Sequence, residues 1–213
     1  MSKIKIKNSK QKIADILLKI GCVNINFKKK FTLTSGKKSP IYVDCRKLIS
    51  FPKEREIVIN EMTKLIKSKY KKEIIVAGGE TAGIPYSSFI SHKLKLPMIY
   101  IRKQPKGFGK GKLIEGEFKK KSTSILIEDM ATDGGSKLHF INSLRKNSML
   151  VKDIYVVFFY NIYPAAKKNL VKMRVNLNYL ASWHDIIKVS PNYISNKEQL
   201  KLKQYISSIE NEK

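Results

Sequence analysis

Apolar and polar positions change rhythm near residue 74, and the change divides the chain into two kinds of structure. Within residues 9–20, Ile13, Ile16, Leu17 and Ile20 fall on one helical face, and Gly21 supplies the stop. Residues 31–33 and 41–44 read as short strands around a Ser35-Gly36 turn. Pro52 then opens a second helix, in which Ile57, Val58, Met62, Leu65 and Ile66 recur at three- and four-residue spacings. From Ile74 onward strand, loop and helix alternate. Residues 74–77 lead into a loop over 78–83 and a helix to Leu94, and residues 98–101 lead into a long loop. Residues 124–128 lead into a small-residue turn and a helix ending near Asn147. Strands over 154–160 and 177–182 follow, with 164–171 helical between them. This alternation predicts an α/β fold, a parallel sheet flanked by helices, whose loops converge at the carboxyl ends of the strands. Residues 190–213 read as a surface helix with frayed ends. No repeat or Pro/Gly/Ser-rich linker interrupts the sequence, so residues 1–213 are expected to form a single domain.

The densest chemistry lies in Ile125-Leu126-Ile127-Glu128-Asp129-Met130-Ala131-Thr132-Asp133-Gly134-Gly135-Ser136-Lys137. An apolar run delivers two adjacent acids, a small-residue turn follows, and Leu138, Ile141 and Leu144 then resume helical spacing. Hydroxyls at Thr132 and Ser136, with glycines that let backbone N–H groups approach an anion, suit a phosphate at the positive end of a helix. The acids fall at a strand's carboxyl end, where open α/β sheets bind ligands and where carboxylates can accept hydrogen bonds from ribose hydroxyls. The pattern predicts a phosphosugar site. Taken alone, these residues also fit a buried strand with an acidic end and a flexible turn.

Composition removes several other classes. A chain of 213 residues with 42% hydrophobic content is long enough to bury a real core as one globular domain. No apolar run approaches the roughly 20 residues needed to span a bilayer, and the Lys/Ile alternation at the N-terminus lacks the apolar core of a signal peptide. A cytoplasmic location with no membrane partner is expected. Cys22 and Cys45 match no metal spacing and are expected to be buried, unpaired thiols. The formal charge of +26 makes nucleic acid a candidate partner. Yet only five arginines are present, and lysine is spread from end to end among many isoleucines and asparagines, as A/T-rich codon usage would produce. The expectation is no specific nucleic-acid partner, with electrostatic steering of anionic substrates as a secondary benefit.

Three further blocks precede the acidic turn in order: Phe31-Thr32-Leu33-Thr34-Ser35-Gly36-Lys37-Lys38-Ser39-Pro40-Ile41-Tyr42-Val43-Asp44-Cys45-Arg46, then Gly78-Gly79-Glu80-Thr81-Ala82-Gly83-Ile84-Pro85, then Tyr100-Ile101-Arg102-Lys103-Gln104-Pro105-Lys106-Gly107. With them the chain resembles the type I phosphoribosyltransferases, and among these the orotate phosphoribosyltransferase family, over roughly residues 27–183. The resemblance implies a type I phosphoribosyltransferase-like parallel sheet, with a small N-terminal hood over residues 1–50, a core over 51–185 and a tail over 186–213. It implies that orotate N1 displaces pyrophosphate from C1 of PRPP to give orotidine 5′-monophosphate, in de novo pyrimidine (UMP) biosynthesis. It also implies Mg²⁺ bound mainly through PRPP rather than by a protein metal site, and a homodimer whose loop residues act in trans. No covalent nucleophile is required.

Carried over residue by residue, the resemblance places Glu128 and Asp129 on the ribose hydroxyls, and Thr132, Asp133, Gly134, Gly135 and Ser136 around the 5-phosphate. Glu80, Thr81, Ala82 and Gly83 match the pyrophosphate loop. Arg102, Lys103 and Lys106 open a basic, glycine-rich loop suited to closing over the leaving group, with Lys103 and Asp129 as the catalytic pair. Tyr42 matches an aromatic beside the orotate ring, with Lys37 nearby. The chain also departs from the pattern. Asp133 replaces a small apolar residue and is expected to turn to solvent or to Lys137. Ala82 stands where many members carry lysine, Phe108 where histidine is common, and Thr34 where some have a lysine, leaving Lys37 or Lys38 to compensate. No arginine near Tyr160-Asn161-Ile162-Tyr163 matches the family's orotate contact. A type I enzyme using another base, and a PRPP-sensing RNA-binding regulator of the same fold, remain as alternatives.

Overall fold

The computed structural model describes residues 6–33, 36–105, 112–135 and 137–212. Helix α1 (Ser9–Lys19) begins where the Asn8 side chain accepts the Gln11 N–H at 2.9 Å, and Gly21, at φ +70°, turns the chain away. Strand β1 (Val23–Ile25) follows, then β2 (Phe31–Thr32), β3 (Lys38–Ser39) and β4 (Ile41–Val43). The two strands expected around residues 35–36 are present but do not pair with each other. Phe31–Thr32 pairs with Lys38–Ser39, and Ile41–Val43 pairs antiparallel with Val23–Ile25. That partner is too short for a period-two pattern to show in the sequence. A 3₁₀ turn, Cys45–Ser50, leads into α2 (Pro52–Lys69), with proline in its first turn.

The remaining strands build one six-stranded sheet. These are β5 (Ile75–Gly79), β6 (Met98–Ile101), β7 (Ile114–Glu115), β8 (Thr123–Ala131), β9 (Leu150–Phe159) and β10 (Asn176–Ser182), in the order β10-β9-β8-β5-β6-β7. Neighbours are parallel except β6 and β7, whose two-residue antiparallel edge lies inside the expected long loop. Helices α1, α2 and α3 (Gly83–Leu94) pack on one face, joined later by α6 (Trp183–Val189) and α7 (Asn196–Glu210). Helices α4 (Lys137–Lys146) and α5 (Ala165–Met173) cover the other face. Strand alternation divides the core accordingly: Ile125 and Ile127 belong to the first layer and Leu126 to the second.

Several boundaries move. Strand β8 continues to Ala131, so Asp129 and Met130 are strand residues rather than the start of a turn. Leu138 is 44% exposed, and Phe140 joins Ile141 and Leu144 in the buried face of α4. The tail is more than a surface helix. A Ser195/Glu198 capping box starts α7, which buries Leu202, Ile206 and Ile209 and brings the Tyr205 hydroxyl within 3.3 Å of Ser39 Oγ. Trp183 is fully buried, edge-on to Phe158. Cys22 and Cys45 are buried free thiols, and burial pushes Cys22 up to about 11.

Candidate active site

Strand β8 ends in its two acids, and because successive strand residues face opposite ways, one sequence motif serves both layers of the fold. Glu128 turns toward α4. It is 4% exposed, and its Oε2 accepts the Lys137 ammonium at 2.6 Å while Oε1 has no hydrogen-bond partner among the described residues. Burial pushes this carboxyl up to about 7, against the opposing pull of Lys137. The carboxylate fits only because residue 79 is glycine: a Cβ there would lie 1.8 Å from Glu128 Oε1 and 2.7 Å from the Phe140 ring. Asp129 turns toward the hood and is 8% exposed, with Oδ1 accepting its neighbour's Met130 N–H at 2.8 Å. Burial raises its carboxyl too, offset by Lys137, the Met130 N–H and Arg46.

The turn after β8 is held from both sides. Asp133 Oδ1 accepts the Gly135 N–H at 3.1 Å and the Thr132 hydroxyl at 3.3 Å, while its carbonyl accepts the Asn169 amide at 2.9 Å. Gly134, at φ +78°, takes the left-handed conformation this turn needs. Asp133 thus faces solvent and organises its own loop. It does not meet Lys137, which is buried against Glu128. Ser136 and Lys106 lie outside the described residues, as do Thr34 and Phe108.

The loop between β5 and α3 carries Glu80 and Thr81, joined by a cis peptide, then Ala82, before Gly83 opens α3. Glu80 Oε2 accepts the Lys103 N–H at 2.7 Å, so this carboxylate ties down the root of the basic loop rather than facing an anion. Arg102 turns away: its Nε donates to the Gln104 carbonyl at 3.3 Å and its guanidinium lies 4.0 Å from Glu115. His139 closes the gap, its ring 3.2 Å from the Arg102 carbonyl.

Two cavities meet over the end of β8. One, of about 690 Å³, lies under the hood between Tyr42, Lys37, Tyr160, Tyr163 and the Thr132-Asp133 turn. The other, of about 580 Å³, is bordered by Glu80, Thr81, Lys103, Glu128, Lys137 and His139. Arg46, Ala82 and Asp129 line both. Both volumes are in the range of small-molecule sites. The sequence reading missed Arg46, Lys137, His139, Tyr160 and Tyr163 as lining residues. Lys137 read as an ordinary first-turn lysine, and only the tertiary fold brings Arg46 over Asp129.

No family model matches the chain. The orotate phosphoribosyltransferase of Ruegeria sp. (strain TM1040) is 43% identical over 176 residues, covering 82% of this chain and 78% of that relative. The chain belongs to the orotate phosphoribosyltransferase family. Among solved structures, orotate phosphoribosyltransferase from Aeropyrum pernix superposes with a TM-score of 0.73 at 26% identity, covering 86% of this chain and 99% of that one. The Leishmania donovani UMP synthase reaches a TM-score of 0.78 at 28% identity over 94% of this chain, which spans only 43% of that longer protein. The fold is therefore that of the type I phosphoribosyltransferases, with the parallel sheet flanked by helices that the resemblance implied. In an orotate phosphoribosyltransferase of this shape, the tyrosine-lined cavity suits a planar base. The lysine-bordered cavity suits an anionic leaving group, and Asp129 stands between them. Neither the regulator nor an enzyme for another base is favoured by these relatives.

Proposed function

We propose that this chain transfers the phosphoribosyl group of PRPP to N1 of orotate, yielding orotidine 5′-monophosphate and pyrophosphate for UMP biosynthesis. The observation that carries this reading is the junction: a buried acid at the end of β8 with an aromatic cavity on one side and, on the other, a cavity bordered by both lysines and acids. The 5-phosphate sits against the Thr132–Ser136 turn, and the ribose hydroxyls donate to Asp129 and to the unpartnered Oε1 of Glu128. This places C1 where the cavities meet. Tyr42 and Lys37 hold the orotate ring and its carboxylate. Thr81, Ala82 and Lys103 face the pyrophosphate as charge develops on the departing oxygen, and fixed donors there cost little reorganisation during reaction. The Asp129 carboxylate faces the positive charge that grows at C1 in an oxocarbenium-like transition state.

Among the described residues, no group of three His, Cys, Asp or Glu side chains is placed to hold a metal. Glu128 and Asp129 supply hard oxygen donors beside the diphosphate half, a set that suits Mg²⁺ carried on the substrate's own oxygens. When bound, that ion neutralises diphosphate charge. A homodimer with loop residues acting in trans, and a cytoplasmic location, complete the proposal. No described helix is long and apolar enough to cross a membrane. Lys103 borders the same cavity as Asp129 within one chain, so complementation decides its role. Mixing Lys103→Ala subunits with Glu128/Asp129 double-variant subunits restores activity if the loop works in trans; no recovery under subunit exchange assigns it to its own site.

The direct test follows orotate absorbance on adding Mg²⁺ and PRPP, beside adenine, hypoxanthine and uracil. Consumption of orotate alone is expected. Turnover of another base, or of none, would replace this reading.

A further inference from the structure

Of the five arginines, one presents its guanidinium to the candidate site. Arg55 lies over the Phe89 ring, Arg145 donates to the Met173, Val151 and Arg174 carbonyls, and Arg102 turns toward Glu115. Arg46 lines both cavities at once, beside Asp129 and Ala82. It is held in place on three counts. Its helical turn is fixed where the Tyr86 hydroxyl donates to the Cys45 carbonyl at 2.6 Å. Its own N–H donates to Asp44 Oδ1 at 3.2 Å, and its Nε reaches the same oxygen at 2.7 Å. The side chain remains 60% exposed, and its two terminal NH₂ groups have no hydrogen-bond partner among the described residues. A guanidinium gripped through Nε by one carboxylate, with its outer edge open, is a pre-oriented fork for a second anion.

The charge around the cavities indicates which anion. The tyrosine-lined cavity already has Lys37. The other is bordered by Glu80, Glu128 and Asp129, and its loop between β5 and α3 contributes no cation, since Glu80, Thr81, Ala82 and Gly83 are acidic or neutral. Glu128 further engages Lys137 at 2.6 Å. Among the described residues, a diphosphate entering this half meets Glu80, Glu128 and Asp129 against Lys103 and Lys137, and the guanidinium beside Ala82 adds the third positive charge.

We propose that Arg46 grips the leaving pyrophosphate at the junction, donating from its terminal NH₂ groups to the phosphate attached to C1. This rests on the phosphoribosyl-transfer reading above. As the C1–O bond breaks, its electron pair passes to the pyrophosphate oxygen, and the orotate N1 lone pair forms the new bond to C1. Arg46 meets the charge growing on that oxygen, so it acts more on turnover than on binding of the base.

The test compares the wild type with Arg46→Ala, Arg46→Lys and the pair Arg46→Ala/Ala82→Lys. The readouts are kcat, the KM for orotate and calorimetric affinity for Mg-pyrophosphate. Loss of a charge-assisted contact is expected to lower kcat and pyrophosphate affinity roughly ten- to a hundredfold, with the orotate KM moving less than about threefold. Lysine at 46 is expected to keep an intermediate value, and lysine at 82 to restore part of the pyrophosphate affinity lost with Arg46. Unchanged pyrophosphate affinity in Arg46→Ala overturns the assignment, as does a raised orotate KM with kcat intact, which would make Arg46 a base-recognition residue. Absent turnover in the wild type would instead fault the reading of the reaction, while the pyrophosphate titration still judges Arg46.

Discussion

Adjacent strands of one sheet each bury a carboxylate, and the fold treats the two in opposite ways. Asp153, near the amino end of β9, is 1% exposed at its side chain and receives the Lys69 ammonium, the Tyr70 hydroxyl and the side-chain amides of Asn176 and Asn178. Burial pushes its carboxyl up, but these donors outweigh that and hold it below the usual range. Glu128, near the carboxyl end of β8, has one lysine and an oxygen with no partner among the described residues, and stands raised to about 7. Solvent exposure is similar, but Glu128 is the more densely enclosed and has fewer donors. An unmet acceptor costs about 1–3 kcal/mol when buried, so the sheet is locally destabilised at the end where a ribose hydroxyl would supply the bond. The saturated acid ties α2 to β9 and β10, and the unsaturated one is the acceptor that the proposed reading gives to a ribose hydroxyl.

The sharpest way to break this contrast is to neutralise both acids of β8. Glu128→Gln with Asp129→Asn should cut turnover roughly a hundred- to ten-thousandfold, at ten- to a hundredfold for each charge-assisted bond. The melting temperature should fall, because Lys137 loses its buried carboxylate partner, but the double variant should stay folded, since a carboxylate that burial disfavours is removed with it. Near-normal kcat in the folded double variant would sink the assignment. The mirror experiment is Asp153→Ala. Removing the carboxylate strips four donors of their acceptor, the half-exposed Lys69 ammonium among them, and should cost about 1–3 kcal/mol in a denaturant titration while leaving kcat of the folded enzyme nearly unchanged. A fall in kcat at constant stability would make Asp153 the functional acid.

The same contrast explains what could be read in advance. Glu128, Asp129 and the Thr132–Gly135 turn were legible because the apolar run, the acids and the glycines are contiguous, and the glycine-rich Gly78–Gly83 block is contiguous as well. Asp153 was invisible, since its donors lie 84, 83, 23 and 25 residues away in sequence, on elements that only the folded sheet brings together. Arg46 and Lys137 share that difficulty: each gains its meaning from a strand far from its own turn. Strands β1 and β7 fell below the length at which alternation is detectable, and α7 read as a surface helix because its apolar face fits a hood the sequence does not display. The run of β8 past Glu128 was missed because two acids resemble a strand end, although here they belong to the strand.

Titration sharpens the comparison at smaller amplitude. On the proposed reading ribose hydroxyls bind the ionised Glu128, so kcat/KM for PRPP should rise as pH climbs through about 7, and this limb should be absent from the residual activity of Glu128→Gln. Stability runs the other way. With a folded value raised from 4.5 to about 7, the Glu128 contribution is fully present below about pH 4.5 and is lost as pH rises through about 7. For Asp153, whose folded value is lowered from 3.8, the contribution is present above about pH 3.8 and is lost as pH falls through the lower folded value. Urea titrations of Glu128→Gln and Asp153→Asn between pH 3 and 8 should therefore change the pH slope of stability in opposite windows. A common window for both would dissolve the distinction.

Asp133 is a third kind of acid, exposed and satisfied by its own turn, and it should give the smallest effect. Its carboxylate brings negative charge toward the phosphate turn, yet it also accepts the Gly135 N–H and the Thr132 hydroxyl that fix the turn's shape. If shape dominates, Asp133→Ala should raise the KM for PRPP about two- to fivefold with kcat unchanged, in line with the loss of two weak, solvent-exposed hydrogen bonds. Asp133→Asn, which keeps an acceptor at the same place and drops the charge, should return the KM to the wild-type value or below it. The order of the three constants separates the two effects: alanine above wild type and asparagine at or below it means that the turn is built by the acceptor and merely tolerates its charge. An alanine variant that binds PRPP more tightly than the wild type would show that repulsion of the phosphate outweighs the loop bonds.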